Sequence, residues 1–444
     1  MGDSPAVDRR ATRRALYAAG VGNLLEWYDF AVFAFLTPVI ADLFFPNADP
    51  IAALLATFAV FAVGFGMRPV GAVVFGRLAD KVGRRWTLLV VITMMGVATV
   101  LIGFMPTYAT AGLVAPILLV VARLLQGLSV GGEFGVSASF LVEYAPSRRR
   151  GLYGSVAYLT ADLGNFFGGA VVFALTGIVS AATLSQWGWR LPFLLSFPLL
   201  LVGLYMRLRI EETPRFRALA AAQQKVQSPV SEAIRRHWRQ MLMLIGVGIA
   251  FAVSSYTVLA FMVSYLTSVL DYSLNTTLLA VITATLIGAV AVPFCGALSD
   301  RVGRKPVLLA ASITTIVLAY PGYLILGLGT FVMAIVGQLV LWVPVSLFCG
   351  VAPAAYSEMF PTNVRVSGFG VAYAIAVALF SGTTPFVATL LIDVTGNVLS
   401  PAWYLIASGV VSLLVIMRIP ETATKELSDS RPADEPEATV TARV

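Results

Sequence analysis

Gly76-Arg77-Leu78-Ala79-Asp80-Lys81-Val82-Gly83-Arg84-Arg85 is a charged, glycine-punctuated loop between two long apolar segments, and it returns as Gly296-Ala297-Leu298-Ser299-Asp300-Arg301-Val302-Gly303-Arg304-Lys305. The copies stand 220 positions apart in a chain of 444, so the second half restates the first. An internal repeat of that length in an apolar chain predicts two structurally related helical bundles, not two soluble domains.

Composition points the same way. Hydrophobic residues make up 58% of the chain and charged ones 12%, against about 45–50% and about 25% in soluble domains. Such a chain has too much apolar surface for one water-soluble core and needs lipid around it. Apolar runs long enough to cross about 30 Å of hydrocarbon as helices recur throughout. Twelve spans are expected, at 15–43, 52–75, 87–106, 112–142, 152–180 and 188–208, then 240–269, 275–298, 306–327, 330–357, 366–394 and 401–419. This gives a short segment at 1–14, a six-helix bundle at 15–208, a charged linker at 209–239, a second bundle at 240–419 and an acidic, disordered tail at 420–444. The first apolar run is too long for a cleavable signal peptide. Cys295 and Cys349 fall within apolar runs and read as small buried hydrophobes, not a disulfide.

The cations are asymmetric. Of 30 arginines and lysines, only Arg68, Arg123 and Arg190 lie outside the termini, the central linker and the loops that follow even-numbered spans. The opposite loops, such as 43–51 and 271–275, carry acids and essentially no cations. The positive-inside rule then places both termini and the linker in the cytoplasm. The net charge of +7 is therefore topological and does not indicate nucleic-acid binding. Arg235, Arg236 and Arg239 of the linker are expected beside anionic lipid.

Within the repeat, Gly76 and Gly296 are expected where two helices approach closely, and Gly83 and Gly303 at tight turns. Asp80 and Asp300 are acids among cations, able to bond to Arg84 or to the N-terminus of a neighbouring helix. A second echo pairs Glu143-Tyr144-Ala145-Pro146-Ser147-Arg148 with Glu358-Met359-Phe360-Pro361-Thr362-Asn363-Val364-Arg365. A glutamate before a helix-breaking proline, with an arginine beyond, suits a charge relay. A third echo sets Glu212-Thr213-Pro214 against Pro420-Glu421-Thr422.

The paired loops resemble the signature of the major facilitator superfamily. Further matches follow in order: Gly22-Asn23-Leu24-Leu25-Glu26-Trp27-Tyr28-Asp29-Phe30, Arg68-Pro69-Val70-Gly71, the run from Arg123 through Gln126-Gly127-Leu128-Ser129-Val130-Gly131-Gly132-Glu133, Trp187-Gly188-Trp189-Arg190-Leu191-Pro192-Phe193, and Glu211-Glu212-Thr213-Pro214. They resemble the metabolite:proton symporter branch, which includes proline/betaine, α-ketoglutarate, shikimate and citrate transporters. The resemblance implies a twelve-helix fold of two bundles related by a pseudo-two-fold axis, alternating access, and repeat loops that latch the cytoplasmic side shut. It implies a small-molecule substrate, the proton as coupling ion, no other cofactor, and function as a monomer in a bacterial inner membrane.

Ionised side chains at lipid depth point to the site, because each costs at least about 2.5–3.5 kcal/mol to insert and needs a cavity or partner. Glu26 and Asp29 stand three apart in the first span and are expected on one face, a pair suited to take and release a proton; the alternative is a structural ion pair with Arg68 or Arg123. Arg123 carries a fork that grips a carboxylate, with Gln126 one turn on. Glu133 is a second candidate for protonation. Asp162 departs from the resemblance, whose members have apolar or small residues there; with Tyr158, Thr160 and Asn165 it makes a polar wall, and as an added anion it favours a zwitterion over a dicarboxylate. Arg190, flanked by Trp187 and Trp189, resembles an arginine required in α-ketoglutarate transporters and reads as an outer gate or an interfacial anchor. Tyr256, Tyr265 and Tyr373 offer ring faces for a quaternary ammonium.

No phosphate-binding loop of the form Gly-x4-Gly-Lys-[Ser/Thr] occurs, nor any zinc or haem spacing, so ATP coupling, metal chemistry and enzymatic activity are not expected. The reading is a proton-coupled symporter of a carboxylate-bearing metabolite, either an osmolyte such as proline or glycine betaine or an organic acid. Two rivals are a proton-coupled exporter and a non-transporting membrane sensor. The stretch Phe44-Phe45-Pro46-Asn47-Ala48-Asp49-Pro50 resembles proline/betaine transporters most.

Overall fold

The computed structural model describes residues 9–82, 84–131, 138, 139, 141, 142, 145–208, 229–361 and 364–423, with the backbone alone at 9–19, 21, 76, 77, 79–82, 84, 85, 88, 147, 206, 207 and 229–231. The described residues form helices and turns, with no strand among them. Six helices build the first half: α1 (Arg9–Phe35, bent by 60° into Thr37–Phe44), α2 (Pro50–Gly66, resumed as Arg68–Val82), α3 (Arg84–Phe104), α4 (Val114–Val130), α5 (Arg150–Ile178) and α6 (Ala181–Gly188, bent by 44° into Arg190–Tyr205). Six build the second: α7 (Pro229–Tyr256, continued to Val269), α8 (Leu274–Val302), α9 (Arg304–Leu326), α10 (Phe331–Glu358), α11 (Arg365–Ala376, continued to Thr395) and α12 (Ser400–Arg418). Eight of these are single helices long and apolar enough to cross a bilayer, α1 and α6 do so as bent pairs, and Leu89–Phe104 and Val114–Val130 are shorter apolar helices.

The twelve helices match the twelve expected spans, with three differences. The repeat reads as a loop in sequence, yet residues 296–302 continue α8, and Gly303 alone, at φ 103°, breaks the chain before α9 starts. The charges of that stretch are therefore held on rigid helix ends. Helix α7 starts at Pro229, inside the expected linker, and kinks at His237 (φ −119°, ψ 19°). Helix α4 is described as far as Val130, and the expected continuation runs into 132–137, outside the described residues. Helix starts follow local chemistry: Asp49, ahead of Pro50, accepts from the Ile51 and Ala52 N–H groups, and Ser273 and Thr330 cap α8 and α10 in the same way.

Small residues let the backbones touch. A methyl group at Gly127 or Gly131 of α4 would run into the carbonyls of Gly64 and Arg68 on α2. This close approach draws α2 and α4 together along the stretch that carries Arg68 and Arg123. Helix α1 lies on α5 through Gly164 and Gly168, bolted by Asn23 Nδ2, which donates to the Ala157 carbonyl at 2.7 Å. In the second half, Ser412 of α12 donates to the Gly246 carbonyl of α7 at 2.7 Å and accepts from the Ala250 N–H. The halves meet where α5 packs on α8, with Gly151 against Gly296, and where Gly382 of α11 rests on Phe65 of α2. Gly296 thus lies at a close helix approach, as expected, though two turns before the end of α8.

The outer surface is apolar: Phe104, Ile178, Phe294 and Val394 are each at least 70% exposed. An apolar surface of this kind requires lipid contact, and the chain is a multi-pass membrane protein. Overpacking a tight interface costs about 1–3 kcal/mol or more. Gly127→Leu is therefore expected to abolish the monodisperse peak in fluorescence-detected size exclusion. Gly66→Ala, where an added methyl meets nothing, should leave that peak unchanged.

Candidate functional site

Two arginines occupy the interior of the first bundle. The Arg123 guanidinium lies 3.4 Å from the Phe33 ring centre and 5.8 Å from that of Phe61. The Arg68 guanidinium lies 4.0 Å from the Phe65 ring centre, 4.7 Å from Phe30 and 5.9 Å from Trp27. Arg123 is 1% exposed and Arg68 3%. Ring faces attract a desolvated cation by about 2 kcal/mol, well short of what a carboxylate partner provides. Nε and Nη2 of both arginines have no hydrogen-bond partner.

Arg123 is tied to Asp29 through a chain of side chains. Its Nη1 donates to Gln126 Oε1 at 2.9 Å, Gln126 Nε2 donates to Thr99 Oγ1 at 2.7 Å, and Thr99 donates to Asp29 Oδ2 at 2.9 Å. Ser196 of α6 donates to the other Asp29 oxygen at 2.5 Å. Four helices thus contribute to one buried network: α1, α3, α4 and α6. Thr99 and Ser196 were not anticipated, since a hydroxyl in an apolar helix gives no periodic signal.

Glu26 and Asp29 face different partners. Side chains three apart on a helix straddle a line, about 60° from each other. Asp29 turns to α3 and α6, while the Glu26 charge acts on the hydroxyls of Tyr256 and Tyr373 in the second bundle. Tyr256 packs its ring on Phe65 (5.1 Å), Phe61 (6.2 Å) and Trp27 (6.5 Å), joining the bundles through aromatic contacts. The Tyr158 hydroxyl of α5 donates to that of Tyr373 on α11 at 3.4 Å, a second link between the halves. Tyr256 and Tyr373 lie just before one-turn π-helices at Thr257–Phe261 and Val377–Ser381, deviations that often mark functional positions. Asp162 is buried with Oδ2 unpartnered, and Asn165 donates to the Ala161 carbonyl on its own helix. Every one of these polar residues is less than one-tenth exposed, so the site is occluded.

Arg190 stands outside this cluster. Its Nη2 donates to the Met105 carbonyl at the end of α3, its Nη1 to Gln186, and it stacks on Trp189 at 4.6 Å. Tyr265 also lies apart, packed on Tyr323 with its hydroxyl on the Val398 carbonyl.

The repeated charges gather at one end of the molecule. Arg304, 2% exposed, donates from Nη1 to Asp300 (2.8 Å) and Ser299 (2.8 Å), and from Nε and Nη2 to the two oxygens of Glu358 (3.3 and 3.2 Å). Asp300 reaches across to the first bundle, where its oxygens accept from the Gly151 and Leu152 N–H groups at 2.8 and 2.9 Å. These are the first orphan donors of α5, where an anion is favoured. Asp300 thus meets a helix N-terminus, as the sequence offered, and the arginine it holds is Arg304 of its own copy. Arg150 stands 3.8 Å from Glu358. Arg148 sits exposed on the turn Ser147–Arg149, whereas Arg150 starts the helix and points inward. Arg365 Nε donates to the Ser357 carbonyl. Glu421 caps α9 by accepting from the Arg304 and Lys305 N–H groups at 2.8 and 3.0 Å, and Thr422 donates to Glu358 at 2.8 Å. Of the first copy, Gly76, Asp80, Arg84 and Arg85 are described as helical backbone only, and Gly83, Glu133 and Glu143 lie outside the described residues.

A sequence profile described as Major Facilitator Superfamily matches residues 19–379. The chain belongs to the major facilitator superfamily. Among superfamily members of known role, it is 37% identical to a proline/betaine transporter of Salmonella typhimurium, over 98% of this chain and 88% of that one. It is 39% identical to a glycine betaine/proline/ectoine/pipecolic acid transporter of Dickeya dadantii (97% and 88% covered) and 34% identical to an ectoine/proline transporter of Corynebacterium glutamicum (98% and 89%). In solved structures the same superfamily fold appears in a proton:xylose symporter, at TM-score 0.73 and 18% identity over 94% of this chain and 97% of that one, and in a partially occluded, inward-open xylose transporter from E. coli (TM-score 0.72, 20% identity, 94% and 100%). The superfamily assignment confirms the twelve-helix, two-bundle reading and the function class, a transporter.

The Glu421 cap has a pH signature. Partial burial acts to raise its carboxyl pKa, but the N–H groups of Ala423, Arg304, Lys305 and Thr422 outweigh that and hold it below the usual carboxylate range. A depressed folded-state pKa contributes stability that is fully present above the unfolded value, about 4.3 for Glu, and is lost as pH falls through the lowered one. The melting-temperature gap between wild type and Glu421→Gln is therefore expected to be widest near neutral pH and to close through the acid range.

Proposed function

We propose that the protein is a proton-coupled symporter that takes up a small carboxylate-bearing solute, a zwitterionic osmolyte of the proline and glycine betaine kind, by alternating access between its two bundles. The observation that carries this reading is the pair of buried guanidiniums with unpartnered N–H groups inside a shut membrane bundle. Cations so placed are costly unless an anion visits them, and a carboxylate fits a guanidinium fork. The names of the relatives agree: three that are 34–39% identical are transporters of proline, betaine or ectoine.

In this reading the solute carboxylate takes the free N–H groups of Arg123 and Arg68. Asp29 carries the coupling proton, since its bonds through Thr99 and Gln126 to Arg123 make the proton on one sensitive to the anion on the other. Glu26 lies toward the second bundle and reports the same event to Tyr256 and Tyr373. Glu133 stands as a further acid of the pathway, and Asp162 is buried in the same interior. Tyr158, Asn165 and Tyr256 wall the site, and Arg190 anchors the outer end.

The positive-inside rule sets the Arg304 end in the cytoplasm of a bacterial inner membrane, with both termini on that side. The contacts of Asp300, Arg304, Glu358 and Arg150 then form the latch that keeps the inner side closed, and Gly76, Asp80, Gly83, Arg84, Arg85, Glu143 and Arg148 supply its counterpart in the first half. The protein works as a monomer in lipid, with solute and proton as its partners and no other cofactor.

Uptake of radiolabelled proline and glycine betaine into proteoliposomes under an imposed proton gradient tests the reading. Arg123→Lys keeps the charge and loses the fork, so uptake is expected to fall roughly tenfold or more. Asp29→Asn should retain solute counterflow while losing gradient-driven accumulation. Undiminished accumulation in both variants would remove the assignment.

A further inference from the structure

Asp162 is a buried carboxyl that the network around Arg123 and Asp29 does not use. It stands near the middle of α5, 3% exposed, and its Oδ2 has no hydrogen-bond partner. No arginine or lysine among the described residues pairs with it. Asp29, by contrast, receives two hydroxyl donors. One turn before Asp162, on the same helical face, is Tyr158, whose hydroxyl meets Tyr373. The Arg68 charge acts on Tyr373 and Tyr256 from the other side. On the far side Asp162 acts on the Cys349 thiol of α10. A buried cation and a buried carboxyl, each with unpartnered polar atoms, thus both lie near the tyrosines that join the two bundles.

Two buried groups of opposite charge type, each with unpartnered polar atoms, suit a solute that carries both signs. We propose that Asp162 receives the cationic group of the zwitterion while its carboxylate rests on the arginines, so that Asp162 is the residue that sets charge selectivity. This rests on the carboxylate placement proposed above. The tyrosine faces complement a quaternary or secondary ammonium, which attracts ring electrons and needs no strong acceptor. A second carboxylate at that end would meet Asp162 and be repelled, so dicarboxylates are excluded.

The test compares glycine betaine with 3,3-dimethylbutyrate, the isostere in which carbon replaces the charged nitrogen. Each is measured both for binding to purified protein in detergent and for inhibition of radiolabelled betaine uptake in proteoliposomes. Wild type is expected to favour betaine by roughly tenfold or more, the scale of one buried charge contact. Asp162→Asn should bring that ratio to about one, with betaine weakened and the isostere unchanged or improved, and Asp162→Glu should restore part of the preference. Arg123→Lys should weaken both compounds alike. A wild type that binds the two equally, or an Asp162→Asn protein that keeps the preference, overturns the proposal. Loss of gradient-driven accumulation with the preference intact also overturns it, by making Asp162 a proton carrier. If neither compound is transported, the transport reading fails, while the binding ratio still decides the role of Asp162.

Discussion

An ionised guanidinium removed from water must be given something to hold, and the interior of this protein gives Arg68 and Arg123 less than they need. Rings of Phe33, Phe65 and Phe30 cover their faces, and one N–H of Arg123 is satisfied by Gln126. Nε and Nη2 of both arginines point at no acceptor. Stability alone would not retain two such groups, because replacing them with apolar side chains would remove a desolvation cost. The rest of the architecture makes this deficit tolerable: glycines that bring α2 and α4 into backbone contact, a short relay to Asp29, and an aromatic seam that shuts out water.

The two ends of the device are built on opposite principles. At the centre, charges are left short of partners and the bundles touch through aromatic edges and one long hydroxyl contact, which are cheap to separate. At the Arg304 end the acids and Arg304 share many bonds. Asp300 serves both Arg304 and the start of α5, Glu358 is shared by Arg304, Thr422 and Arg150, and Glu421 closes the start of α9. A closed state held by many bonds at one end, around an interior that lacks partners, is a two-state element that a bound anion can bias. Its geometry also gives the residues just after α12 a structural job, since Glu421 and Thr422 tie the end of that helix to the same hub.

Much of this was legible beforehand. Twelve apolar runs, the 220-residue repeat and the one-sided cations fix the number of helices and the symmetry of the halves, because lipid solvates a long apolar helix independently of its neighbours. Intramembrane charges such as Asp29, Arg68, Arg123 and Asp162 were visible as exceptions to that rule. Less was visible of their partners. Thr99 and Ser196 look like any hydroxyl in a membrane helix, and the choice between Arg148 and Arg150 depends on which of two adjacent residues begins a helix.

The sequence by itself determined the class of the molecule: a membrane protein of two repeated bundles, with acids and arginines at lipid depth and a charged hinge between spans. Those properties follow from composition and spacing, which act locally. Only the tertiary structure decided that Glu26 and Asp29 look in different directions, that Asp300 reaches across to α5, and that Arg190 is bonded at the end of α3, away from the central cluster. Such pairings depend on helix rotation and crossing within a fraction of a turn. Packing at glycines such as Gly127 and Gly296 sets these, and no single stretch of chain encodes them.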